Sequence, residues 1–221
     1  MKYLNAEKGI KKVYLSQLIA IFAAVLIGGT EMLTAAYKNI FNMSASELKL
    51  IPVLSVIVGV ILLGAVITSL IIGMIGYYQA SKDELLFRNS IFCALTSGAL
   101  TLVGELFQIP NGMLYTIFTT SATIVEMFVM VFAISGILNL SENCGRGDLS
   151  EKGDMLLKIM LVIYIISAVN ALIIRIFELS DKAKIVSFII NAIDSVSIVT
   201  RYMLYLKYLH NSIIMLRENN T

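Results

Sequence analysis

The chain has 221 residues, of which 58% are hydrophobic and 14% are charged, and its mean hydropathy is +0.85. Soluble domains carry about 25% charged residues, so this apolar excess indicates that lipid covers much of the surface. The net charge of +2 is too small to indicate a nucleic-acid partner, and Cys93 and Cys144 lie in no spacing typical of a disulfide or zinc site. The composition predicts an integral membrane protein without a metal or cofactor.

Six apolar segments follow one another along the chain. They lie near 13–36, 51–78, 87–107, 113–140, 155–178 and 185–209. Each is long enough to cross a hydrocarbon core of about 30 Å as a helix. The first exceeds the apolar region of a secretory signal, so we interpret it as helix 1 of a bundle.

The polar breaks between these segments are short. Between helices 3 and 4, the segment Gln108-Ile109-Pro110-Asn111-Gly112 predicts a tight turn and therefore an antiparallel hairpin. The longest break, roughly Ser141 to Asp154, is too short to fold into a soluble domain. We therefore expect the protein to act in the membrane plane or through partners.

Lys and Arg residues are unevenly distributed between the two sides of the predicted membrane. With both termini on one side, that side holds eleven of them and the other side holds four, while Arg175 and Arg201 lie within segments. Cytoplasmic loops are enriched in Lys and Arg. The distribution predicts an all-α membrane protein of about six transmembrane helices with both termini in the cytoplasm. Compact loops and abundant Ile and Lys favour a bacterial cell (inner) membrane.

The chain contains an internal repeat. A shift of 74 residues aligns helix 1 with helix 3, and a further 73 aligns helix 3 with helix 5. Each aligned helix carries four residues on one face at spacings of four, three and four. They are Ala20, Ala24, Ile27 and Glu31; Ala94, Gly98, Thr101 and Glu105; and Ser167, Ala171, Ile174 and Glu178. We predict one polytopic membrane domain over 1–221, built from three helical hairpins at approximately 5–78, 79–151 and 152–221 around a pseudo-threefold axis.

The small residues of these stripes predict close helix packing, because small side chains let helices approach in lipid. Helix 2 carries a similar set, consisting of Ser55, Gly59, Ser69, Gly73, Gly76 and Ala80. The three glutamates lie at the outer helix ends, where the helix dipole disfavours an anion. They are either solvated carboxylates, paired with Arg175 or a loop lysine, or an outer acidic ring that attracts a cationic solute.

One face of helix 6 is polar throughout. It carries Ser187, Asn191, Asp194, Ile198, Arg201, Tyr205 and Tyr208. A charge at the bilayer centre costs about 2.5–3.5 kcal/mol on insertion scales, so we expect this face to look into the bundle. The repeat alignment puts Glu126 of helix 4 at the depth of Arg201 and predicts that the two pair. The candidate intramembrane site is Glu126, Asn170, Asn191, Asp194 and Arg201, as either a structural ion-pair network or a solute- or proton-handling site.

Two short motifs resemble known membrane families. Ser135-Gly136 and His210 resemble the serine and histidine of rhomboid-type intramembrane proteases, but the Gly-x-Ser-Gly motif and the glycines after the histidine are missing. Ala20-x-x-x-Ala24 resembles the coupling motif of the substrate-binding subunits of energy-coupling-factor transporters. That resemblance implies binding of a vitamin-like solute and a partner ATPase module.

The leading hypothesis is a small-solute or ion transporter, or the solute-binding membrane subunit of one, that acts on a small cationic or polar solute. The alternative is a non-transporting scaffold or partner subunit, which would have a filled bundle core and a small-residue face open to a membrane protein partner. An intramembrane serine hydrolase is a more distant alternative. We expect no enzymatic activity.

Overall fold

The computed structural model describes residues 2–39, 51–106, 112–177 and 184–220. These residues form six α-helices. They are α1 (Leu4–Asn39), α2 (Ile51–Ala80), α3 (Leu86–Leu106), α4 (Gly112–Asn143), α5 (Gly147–Phe177) and α6 (Lys184–Asn220). The predicted turn at 108–112 falls largely outside the described residues.

In the described part of the chain, five helices, α1 to α5, are long and apolar enough to cross a membrane. Large apolar side chains project from their surfaces. Phe22 is 60% exposed, Leu63 62% and Ile165 61%. A surface of this kind is stable in lipid, where helices satisfy their own backbone polar groups. The chain is therefore a helical membrane protein, and the crossing by α6 stays a prediction.

The six helices pack as a closed ring in chain order. Each helix packs against its neighbours along the chain, and α6 packs against α1. The contact between α2 and α3 is the least extensive in the ring. Two hairpins, α1 with α2 and α3 with α4, pack most extensively, and the space between them is where the cavity described below lies.

Both chain termini lie at the same end of the ring, which we call the base. The Tyr3 amide donates to Asn220 Oδ1 at 3.2 Å, which joins the start of α1 to the end of α6. The α2–α3 connection reaches this end through Asp83, whose Oδ2 accepts from the Ala6 amide at 2.7 Å. The α4–α5 connection reaches it through Arg146, which donates to Glu218 at 2.9 Å. Helices α1, α3 and α5 therefore run away from the base.

The main cluster of buried apolar side chains fills the half of the bundle next to the base. All six helices contribute to it, through Ile10, Val13, Tyr77, Phe87, Ile134, Ile137, Met160, Tyr205 and Leu209 among others. Interiors of this kind are close-packed and tolerate little change in volume. The base half of the bundle is thus a solid core, and the free volume lies farther from the base.

The helices extend farther at the base than hydropathy predicts. The α1 helix begins at Leu4 rather than near 13, and α6 ends at Asn220 rather than near 209. The predicted break from Ser141 to Asp154 is wrong, because only residues 144–146 separate α4 from α5. Hydropathy detects a continuous apolar run, whereas these extensions bury isolated apolar residues at helical spacing among polar ones. Gly145, with a φ of 70°, lets the chain reverse in so short a connection.

The α1 and α2 backbones approach closely near the base. A Cβ atom added to Gly76 would lie 2.7 Å from the Gly9 carbonyl oxygen and 2.9 Å from the Val13 amide nitrogen. One helical turn or two farther from the base, the Ser16 and Ser69 hydroxyls each donate to the other residue's carbonyl at 2.8 Å. Small residues therefore set the distance between these helices.

The packing prediction for helix 2 holds along part of its length. Gly73 and Gly76 contact α1, as predicted. Gly59 instead faces open space, since a Cβ atom there would meet nothing within 4 Å. The side chain of Ser55 lies outside the described part of the structure. Among the described side chains of α2, the close approach thus lies in the half next to the base.

Candidate functional site

Arg201 is a buried cation in the middle of α6. It is 6% exposed, and its guanidinium carbon lies 4.4 Å from the ring centroid of Tyr164 and 5.4 Å from that of Tyr202. Contact with aromatic faces offsets part of the cost of removing a cation from water. Its Nε atom has no hydrogen-bond partner among the described residues. The guanidinium therefore depends on a nearby anion.

Glu126 of α4 supplies that anion. Its Oε1 atom lies 3.9 Å from Arg201 Nη2, which confirms the predicted pairing of these two residues. N–H···O hydrogen bonds reach about 3.2 Å, so this contact is an ion pair without a hydrogen bond. The Glu126 side chain is 43% exposed and that of Arg201 is 7% exposed. The carboxylate thus faces open volume while the guanidinium is enclosed.

The open volume beside Glu126 is a cavity of about 690 Å³ between the α1–α2 and α3–α4 hairpins. Its wall is formed by Ser16, Gln17, Ala20, Ala23, Ala24, Val66, Ile67, Ser69, Leu70, Gly73, Met74, Tyr77, Ala94, Ser97, Gly98, Thr101, Leu102, Glu126, Val129, Met130 and Tyr202. Among these described lining residues, Glu126 carries the one charge. The cavity is therefore a partly open, mostly apolar cleft with a single carboxylate in its wall.

The small-residue stripes of α1 and α3 line this cavity. Ala20 and Ala24 face it from α1, and Ala94, Gly98 and Thr101 face it from α3. A Cβ atom added to Gly98 would meet nothing within 4 Å. The prediction that Gly98 mediates close helix packing is therefore wrong. Because Gly98 has no side chain, it leaves part of the cavity between the two hairpins unfilled.

Of the remaining members of the predicted polar site, only the Asn170 side chain belongs to the described part of the structure. Asn170 is half-buried on α5 and does not line the cavity, and its Nδ2 atom has no hydrogen-bond partner among the described residues. The side chains of Asn191 and Asp194 lie outside the described part of the structure. On the same face of α6, Tyr205 and Tyr208 are buried as predicted.

The predicted outer acidic ring can be followed at one of its three positions. Glu105 is exposed at the end of α3 and does not line the cavity. The side chain of Glu31 and the whole of Glu178 lie outside the described residues. The ring therefore stays a prediction.

Several site residues were missed by sequence reasoning. Gln17 and Tyr202 line the cavity, and the buried Gln17 Oε1 atom has no hydrogen-bond partner among the described residues. Gln17 and Tyr164 each precede the small-residue stripe of their helix by three residues, at equivalent places in the repeat. If the stripes of helices 1 and 5 had been extended by one turn toward the helix N-terminus, they would have included Gln17 and Tyr164. No pattern in the sequence marks Tyr202.

The residues of the serine hydrolase alternative lie apart from this cavity. Ser135 is half-buried on α4, and His210 is exposed on α6, with its ring centroid 6.0 Å from that of Tyr14. Neither residue lines the cavity. Within the described ranges, no group of three or more His, Cys, Asp or Glu side chains could hold a metal ion.

Comparison of the chain with protein-family models, with curated proteins and with solved structures finds no match. The function must therefore be argued from the cavity and its charges.

Proposed function

We propose that this chain is a small-solute or ion transporter, or the solute-binding membrane subunit of one, and that the Glu126 cavity is its solute site. The observation that supports this proposal is a cavity of about 690 Å³ between the α1–α2 and α3–α4 hairpins with a half-exposed carboxylate in its wall. Ligand pockets typically measure roughly 300–1,000 Å³, are mostly apolar and carry a few polar groups. The cavity has the size and composition of such a pocket.

The ion pair supports a functional interpretation over a purely structural one. Ionised side chains within a membrane are costly, and those that persist usually face a cavity or a partner. A structural pair gains most when both ions are enclosed and hydrogen-bonded. Glu126 is neither enclosed nor within hydrogen-bond distance of Arg201. Its oxygens keep acceptor capacity toward the cavity, where a solute or water can use it.

The proposal places the protein in a bacterial cell membrane with its base in the cytoplasm. Eleven of the seventeen Lys and Arg residues belong to the termini, to the connections at the base or to the helix halves next to it. The positive-inside rule then assigns the base to the cytoplasmic side. The closed ring of sequential helices supports the three-hairpin repeat, which we keep as part of the proposal. Asn191 and Asp194 stay candidates for the wall of the site contributed by α6.

A non-transporting partner subunit is the second candidate. Gly59 and Gly64 on α2 face open space, and glycines on a lipid-facing surface let another helix approach closely. This alternative also predicts a filled bundle core, however, and the cavity at Glu126 argues against that. An intramembrane hydrolase has less support still, because Ser135 and His210 lie outside the cavity.

Flux and binding measurements on the purified protein test the proposal. Proteoliposomes and lipid nanodiscs would be offered labelled tetraphenylphosphonium, choline, glutamate and glycerol. We expect at least one of these solutes to bind or cross above protein-free controls, with flux marking a transporter and binding alone marking a solute-binding subunit. Gly98→Leu should abolish the signal by filling the cavity, whereas Gly64→Leu, on the exposed surface of α2, should retain it. Equal signals from both variants would contradict the proposal.

A further inference from the structure

We infer that the solute of the Glu126 cavity is a hydrophobic monovalent cation, of the quaternary ammonium or phosphonium class. This inference rests on the proposed solute-binding function and specifies its substrate. It follows from the sign of the charge that the cavity presents, from the apolar wall around that charge, and from the aromatic rings beside it.

The charge that a solute meets in the cavity is negative. The Glu126 carboxylate is part of the wall, whereas Arg201 does not line the cavity and is 7% exposed. The two ions lie 3.9 Å apart, and of the two only the carboxylate belongs to the wall. A solute in the cavity therefore contacts Glu126 rather than Arg201. A cation gains an ion pair there, and an anion would lie closest to a like charge.

The rest of the wall is unsuited to a divalent metal ion. Ca²⁺ and Mg²⁺ require about six or more oxygen ligands at short distances, and the described wall offers one carboxylate. Aliphatic side chains such as Val66, Leu70, Val129 and Met130 form much of the surface. An apolar solute that leaves water gains free energy when it packs against such side chains. The wall therefore suits an organic cation with a bulky apolar body.

Aromatic and amide groups complete the site. Tyr77 and Tyr202 contribute to the wall, and aromatic faces attract organic cations, quaternary ammonium ions in particular. Tyr202 already lies near one cation, the Arg201 guanidinium, at 5.4 Å from its ring centroid. The Gln17 side chain lines the same cavity, and its buried oxygen has no partner among the described residues. The wall that surrounds a cation thus includes one carboxylate, two tyrosines and an uncharged amide side chain.

A pair of ions of matched shape tests the inference. Equilibrium dialysis of the full chain in nanodiscs would measure binding of tetraphenylphosphonium and of tetraphenylborate, with protein-free nanodiscs subtracted. We expect the phosphonium to bind and the borate not to. Glu126→Gln should weaken phosphonium binding roughly tenfold or more, equivalent to a loss of about 1.4 kcal/mol or more. Glu151→Gln, which changes an exposed carboxylate on α5, should leave it unchanged.

Folding is checked separately so that loss of binding is informative. Each variant is compared with the wild type by thermal unfolding, and Gly98→Leu blocks the cavity without changing its charge. If Gly98→Leu abolishes phosphonium binding while Glu126→Gln preserves it, the site exists but the inference about Glu126 is wrong. Binding of the borate as tightly as the phosphonium would overturn the inference and leave the proposed solute site standing. Absence of binding by either ion to folded wild type would also overturn it, while the flux measurements with choline, glutamate and glycerol still decide the proposed function.

Discussion

Arg201 Nη2 lies 3.9 Å from Glu126 Oε1, and the two side chains differ sixfold in exposure, with 7% of the arginine and 43% of the glutamate accessible. The asymmetry follows from their helices. Arg201 projects from α6 between Tyr164 and Tyr202, while Glu126 projects from α4 into the wall of the cavity. The Glu126 carboxylate is paired with Arg201 and is still accessible from the cavity. It can therefore stabilise the fold and bind a solute.

The pair can be separated into its structural and functional parts by a double-mutant cycle. Glu126→Gln leaves the buried guanidinium without its anion and should cost roughly 1–2 kcal/mol of unfolding free energy, less than the ~3–5 kcal/mol of a fully buried pair, since Glu126 is half exposed. Combining it with Arg201→Gln should restore much of that stability without restoring solute binding. Unfolding and binding would be measured on all three variants. A double variant that is stable and still binds solute would show that the pair is only structural.

Gly76 provides a test of the α1–α2 contact. Gly76→Ala adds a Cβ atom 2.7 Å from the Gly9 carbonyl oxygen, and backbone atoms cannot move aside as a flexible side chain can. We expect a loss of about 1–3 kcal/mol, as for other overpacked sites, measured by thermal unfolding in detergent.

The matched control is Gly64→Ala on the same helix, where the added Cβ atom meets nothing within 4 Å. This change should be neutral or stabilising by up to about 1 kcal/mol, because alanine favours a helix over glycine. Equal losses in the two variants would show that α1 and α2 do not approach at Gly76.

Asp83 caps the first turn of α1 from the α2–α3 connection. Its carboxylate accepts from the Ala6 amide at 2.7 Å and from the Asn5 side chain at 3.0 Å. Asp83→Ala should therefore cost about 1 kcal/mol, the usual value of a helix N-cap. Asp154→Ala removes an exposed i,i+4 pair with Lys158 and should cost less than about 0.5 kcal/mol. Chemical unfolding of both variants measures the two losses of unfolding free energy. A larger loss in Asp154→Ala than in Asp83→Ala would contradict the role of Asp83 as a cap.

Hydropathy was enough to predict the helices, because each apolar run is separated from the next by polar residues. It could not predict the extensions at the base, where residues such as Leu149 and Leu216 are buried among charged neighbours. These helix ends are stabilised by packing between helices, which a single segment does not reveal. The break predicted from Ser141 to Asp154 was too long for the same reason, because packing between helices extends α4 and α5 into it.

The candidate site was predicted in part. Glu126 and Arg201 could be paired from the repeat, because an intramembrane charge needs a partner and the register put both at one depth. The cavity could not be predicted, since a stripe of small residues has the same appearance whether helices touch along it or stand apart. Gly76 packs against backbone and Gly98 faces open volume, and only the relative positions of the hairpins distinguish them.

Access to the cavity is the most direct test of the central claim that Glu126 lies in a solute site. A cysteine would replace Gly98 in the cavity wall or Gly64 on the exposed surface of α2, with Cys93 and Cys144 changed to alanine. Both variants, in membrane vesicles of each orientation, would be treated with the impermeant cation 2-(trimethylammonium)ethyl methanethiosulfonate. We predict that Gly98→Cys reacts from at least one side and is protected by tetraphenylphosphonium, whereas Gly64→Cys, covered by lipid, does not react. A Gly98→Cys variant as unreactive as Gly64→Cys from both sides would contradict the account.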